Sequence, residues 1–109
     1  MANFLNDNED ILFHLEHLDI NRIIKLKEEN FSEAGKFPHA PKDVEDAMES
    51  YRLVLSIVGD IAGEYMAPNA PAVDAASPTL ANNEVTLHPA TKKALDMFAQ
   101  ADMMGRLLL

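Results

Sequence analysis

Pro41-Lys-Asp-Val-Glu-Asp-Ala-Met-Glu-Ser-Tyr-Arg-Leu-Val-Leu-Ser-Ile-Val-Gly-Asp-Ile-Ala-Gly-Glu-Tyr-Met66 is the stretch that decides the fold. Val44, Ala47, Met48, Tyr51, Val54, Leu55, Val58, Ile61, Ala62 and Tyr65 recur at helical spacing over about six turns. Pro41 suits a first helical position, where its missing N–H costs nothing. Asp43, Glu45, Asp46 and Glu49 suit the positive end of the helix dipole. The reading is a long central helix over about 41–66. Leu53 and Ile57 fall opposite its main stripe, so its middle is apolar nearly all round, as in a helix that meets a second partner.

Working outward, Pro68, Pro71 and Pro78 are expected to end that helix and to set an extended proline- and alanine-rich loop over about 67–85. Val85, Thr86 and Leu87 read as a short extended piece. Pro89 opens a further helix to Met104, with Gly105 placed to close it in a left-handed position. On the N-terminal side, Gly35, Pro38 and Pro41 break the pattern from Glu29 to Ala40, with Phe31 and Phe37 expected to pin that loop to the core. Ile11, Leu12, Leu15 and Leu18 mark one face of a first helix, capped by Asn6 or Asp7. Asp19 then offers a cap for Ile20–Lys27, so the pair is either a helical hairpin or a kinked helix. The expectation is an all-α small bundle of about four helices. It forms a single helical domain over 1–109: an N-terminal extension and loop (1–40), core helices (41–105) and a divergent tail (106–109).

Composition narrows the function. The chain has 109 residues, 18 acidic against 9 basic, a net charge of -9 and no cysteine. Such a field repels phosphate backbones, which argues against nucleic acid as a partner. Without thiols there is no disulfide framework and no thiolate chemistry. No basic and apolar leader opens the chain, and no run approaches the ~20 apolar residues of a membrane span, so a cytoplasmic protein without a membrane partner is expected.

Candidate chemistry is sparse. His14-x-x-His17 has helical spacing but no further ligand in view, and two polar residues flanking an apolar stripe account for it. His39 and His88 sit beside prolines, where capping and loop contacts explain them. The carboxylates Asp43, Glu45, Asp46 and Glu49 lack the Glu-x-x-His partners of a bridged metal bundle. Gly35, Gly59, Gly63 and Gly105 form no phosphate-binding loop. Catalytic, cofactor and metal residues are accordingly none.

Gly59-Asp-Ile-Ala-Gly-Glu-Tyr-Met-Ala-Pro-Asn-Ala-Pro-Ala-Val-Asp74 resembles the N-terminal helical domain of acyl-CoA dehydrogenases, where an amphipathic helix ends in a Glu-x-x-Ala-Pro segment followed by an acid. Val85 to Gly105 is similar to the turn and helix that follow in that family. Phe4 to Phe37 resembles the extra helical segment of its longer bacterial members. The resemblance implies FAD and acyl-CoA oxidation for a full-length enzyme. The later domains that hold the flavin and the catalytic base have no counterpart here, since Gly105 leads only into Arg106-Leu-Leu-Leu109. The expectation is therefore an isolated N-terminal domain, truncated after its last helix, that is inactive by itself and binds no cofactor.

The alternative is a free-standing helical module for self-association or protein interaction. The candidate interface residues are Leu53, Ile57, Leu95, Phe98 and Met103, with Leu107, Leu108 and Leu109 adding apolar surface. A homodimer is the expected partner state, with docking onto a larger flavoenzyme as a further possibility.

Overall fold

The computed structural model describes residues 2–103. Two short helices, Glu9–His17 and Ile20–Lys27, lead through a loop to one long helix, followed by a two-stranded hairpin and a last helix, Pro89–Gln100. The domain is all-α apart from that hairpin.

Asn8, rather than Asn6 or Asp7, caps the first helix: its side chain accepts from the backbone N–H of Asp10 and Ile11. Leu18 then turns extended (φ -71°, ψ 148°), so the two short helices are separate elements and not one kinked helix. After Lys27 the chain reverses through Glu29, Asn30 and Phe31, all left-handed with φ of 49°, 55° and 61°. For residues with a Cβ this costs on the order of 1 kcal/mol each. Phe31 is half-buried beyond the turn. Phe37 does not anchor the loop as expected; it is 48% exposed and stacks on the ring of His39.

The long helix starts three residues later than Pro41 suggests. Asp43 is its cap and accepts from Asp46 N–H at 2.8 Å, while Asp46 accepts from Lys42 N–H at 3.0 Å. It then runs for 33 residues in three consecutive stretches. Val44–Asp60 is α-helical, Ile61–Met66 is π-helical and Ala67–Ala76 is α-helical again. The expected loop over 67–85 is therefore corrected: its first ten residues are helix, with Pro68 in the first turn and Pro71 inside. Two features make room for the prolines. The widened turn ahead of Pro68, where Ala67 N–H donates five residues back to Ala62 O, eases the clash between a proline ring and the preceding carbonyls. The alanines around the prolines favour helix on propensity alone. Helix ends only where Ser77 (φ 38°, ψ 145°) precedes Pro78.

Strands β1 (Thr79–Ala81) and β2 (Glu84–Thr86) pair antiparallel, with Leu80 opposite Val85. Asn82 and Asn83 turn between them with φ of 52° and 61°, a left-handed pair that asparagine tolerates and a two-residue hairpin needs. The extended piece expected at 85–87 is thus one arm of a hairpin. His88 caps the last helix, accepting from Ala90 N–H at 3.1 Å. That helix ends at Gln100 and not at Met104. Asp102 takes the left-handed position (φ 59°), its N–H bonds Ala99 O, and Met103 N–H bonds Phe98 O at 2.9 Å. This is a Schellman closure, which folds the residue after the left-handed one back onto the helix. Gly105 and Met104 lie outside the described residues, as do Leu107, Leu108 and Leu109.

Packing is sparse. The buried apolar side chains among the described residues are Leu5, Ile24, Ala47, Ile61, Ala90, Ala94 and Met103. Tyr51 on the long helix donates to Glu28 Oε1 and lies under the Lys27 ammonium at 4.9 Å, which fastens the second helix. Lys93 stands 5.2 Å over the Tyr65 ring and ties the last helix to the π-helical stretch. The chain exposes 8523 Å², whereas a folded monomer of its mass exposes about 6,000 Å². Its radius of gyration is 17.5 Å against about 13 Å for a compact chain of this length.

Candidate interaction surface

The N-terminal segment organises both apolar surfaces. Residues 2–5 cross the long helix over Gly59 and Gly63, four residues apart on one face. A Cβ at Gly59 would lie 2.5 Å from Asn3 Oδ1, and one at Gly63 would lie 2.5 Å from Ala2 O, so only glycine allows this approach. Asn3 is buried and fully bonded. Its Nδ2 donates to Ser56 O (3.1 Å) and Asp60 Oδ1 (2.6 Å), and its Oδ1 accepts from the N–H groups of Leu5 and Asn6 at 2.9 Å. Phe4 N–H donates to Gly59 O at 3.1 Å. An outside donor thus binds a helix carbonyl just where the ladder passes from α to π.

Successive residues of this strap, which turns at Phe4–Asp7, serve opposite sides of the long helix. Phe4 closes one end of an open groove of about 530 Å³ between the Ala62–Asp74 face and the last helix. Small side chains (Ala62, Ala70, Ala90, Ala94) hold the groove open, and Met66, Leu95 and Phe98 supply its large apolar surfaces. Asp74 is its one charged lining residue. Leu5 instead lines a smaller groove of about 310 Å³ between the first helix and the long one, where Leu12, Leu15 and Leu53 stand beside the polar Asn6, Glu16, Arg52 and Ser56. Leu53 and Ala62 are about two and a half helical turns apart, which puts the two grooves on opposite sides of the long helix.

The candidate interface residues divide accordingly. Leu95 (44% exposed) and the half-buried Phe98 line the larger groove, and Leu53 (64% exposed) lines the smaller one. Ile57 is half-buried one turn beyond Leu53. Met103 is buried by the Schellman closure and presents no open surface. Phe4 and the face formed by Ala62, Met66, Ala70 and Val73 were not expected. The face is legible as helical spacing once Pro68 and Pro71 are allowed inside a helix.

The histidines make local contacts. His17 stacks on Phe13 at 4.1 Å and its Nδ1 lies 2.9 Å from Phe13 O, while His88 is a cap. No group of three or more metal-ligating side chains occurs among the described residues, nor does a helix long and apolar enough to cross a membrane. No family model, curated protein or solved structure matches the chain.

Proposed function

We propose that this chain is a non-catalytic helical docking domain that completes its core against other polypeptide surface, as the N-terminal helical domain of an acyl-CoA dehydrogenase-type flavoenzyme would. One observation carries the reading: an apolar groove on one side of the long helix and a smaller groove of mixed lining, with Leu53 64% exposed, on the other both stand uncovered. Contiguous apolar surface of this kind on a small chain marks a partner site. The chain's 8523 Å² of exposed surface, against about 6,000 Å² for a compact monomer of its mass, leaves room for such a contact.

Two-sidedness favours burial within a larger assembly over the alternative, a symmetric homodimer. A closed twofold contact uses one self-complementary patch per chain and leaves the other side open. The sequence resemblance supplies the class of assembly, a flavoenzyme, and cytoplasmic residence accompanies that class.

Sedimentation of the purified chain over a range of concentrations tests this. Association beyond a dimer is expected, lessened by Leu53→Lys/Ile57→Lys or by Leu95→Lys and removed by combining them. A closed dimer dissociated fully by one of these variants would favour the self-association module. A monomer at every concentration would overturn both readings.

A further inference from the structure

We infer that the larger groove receives an amphipathic helix with a cationic edge, supplied by the partner on which the docking reading rests. The groove's shape selects a helix. Its long-helix wall runs from Ala62 to Val73, about 16 Å or three turns, and lies beside a second helix. Alanines at 62, 70, 90 and 94 leave a trough in which larger side chains of a third helix can seat, while Met66, Leu95 and Phe98 offer apolar contact along it. This is the helix-in-groove mode of recognition, in which residues at i, i+3, i+4 and i+7 enter an apolar channel.

Charge selects the edge of that helix. Asp74 is exposed at the C-terminal end of the groove and is its one charged lining residue. The chain around it carries -9. A lysine or arginine beside the apolar stripe of the incoming helix meets Asp74 and an attractive long-range field, whereas an acidic edge meets repulsion. The same field makes a second copy of this chain, which brings another -9, the weaker occupant, held in the groove of the purified chain only where no cationic partner competes.

The test uses the full chain and two fluorescent designed helical peptides with the same leucine stripe, one flanked by lysine and arginine, the other by glutamate. Anisotropy is read at two salt concentrations for the unaltered chain, Asp74→Lys and Ala70→Arg. Both substituted positions are exposed, and unchanged helical circular dichroism confirms that each variant folds. The cationic peptide should bind, and the acidic one should bind at least about tenfold more weakly. Asp74→Lys should weaken the cationic peptide by about fivefold, less at high salt, and Ala70→Arg should abolish binding. Equal binding of the two peptides, or an Asp74→Lys variant that binds as before, would overturn the cationic edge. A chain that binds neither peptide but forms a dimer broken by Ala70→Arg would make the occupant a second copy. Binding neither peptide while apolar dye still lights up would overturn this occupant alone, and loss of the dye signal too would overturn the docking reading beneath it.

Discussion

Gly63→Ala is the substitution on which local and tertiary reasoning disagree in sign. Gly63 lies inside the long helix with no left-handed φ, so alanine suits its backbone. On propensity alone the change stabilises by up to ~1 kcal/mol. In the folded chain, however, the new Cβ lies 2.5 Å from Ala2 O and 2.8 Å from Ala2 C, against ordinary contact beyond about 3.4 Å. Both are backbone atoms, so no side chain can swing away. The strap must lift, weakening the Phe4 N–H to Gly59 O bond, the Asn3 network and the burial of Leu5. One hydrogen bond contributes about 1 kcal/mol and burial of a leucine about 2 kcal/mol, while overpacking typically costs 1–3 kcal/mol. The net expectation is a loss of about 2 kcal/mol, or a fall in Tm of about 10 °C for a domain of this size. Urea unfolding followed by helical circular dichroism measures it, and repeating it on a chain lacking residues 1–6 isolates the cause. There Gly63→Ala should turn neutral or stabilising, a coupling of about 2–3 kcal/mol between strap and glycine. A Gly63→Ala chain of higher Tm with the strap present would refute the crossing.

Asn3→Ala removes a buried side chain with four hydrogen bonds, one of them to the Asp60 carboxylate, and should lower the unfolding free energy by about 3 kcal/mol in the same urea assay. Asp43→Ala, which deletes the cap of the long helix, should cost about 1 kcal/mol, while Asp43→Asn should cost less because asparagine also caps. The purified chain, dialysed against FAD and then freed of excess, should show no flavin absorption and no acyl-CoA oxidation; a stoichiometric yellow complex would contradict a non-catalytic role.

Much of the helical architecture was legible because it is local. The stripe from Val44 to Tyr65, the start of the second helix after Asp19 (whose side chain makes no capping hydrogen bond) and Pro89 at the start of the last helix each depend on residues within a few positions of one another. Asn82-Asn83 was equally local and marks a hairpin turn, but three-residue strands carry too little alternation to announce themselves. The prolines misled for a physical reason. The π-helical turn ahead of Pro68 begins beside a donor, Phe4 N–H, from the far end of the sequence, and no window around residues 60–76 contains that contact. The surface was half legible on the same grounds. Leu53 and Leu95 could be placed off the main stripes by angle alone. Met103 went the other way, because Asp102 takes a left-handed position and folds Met103 back onto the helix. Asn3 offered no signal, since its partners Ser56 and Asp60 lie more than fifty residues away.

The central claim is that this chain leaves its apolar surface uncovered when alone. Small-angle scattering extrapolated to infinite dilution, with an apolar dye titrated into the same samples, tests it most directly. The extended packing expects a radius of gyration near 17.5 Å for the monomer together with dye fluorescence that Ala70→Arg and Leu53→Lys each reduce. A monomer near the ~13 Å of a compact chain of this length, with no dye response, would mean that the two grooves close upon themselves and that the chain needs no partner.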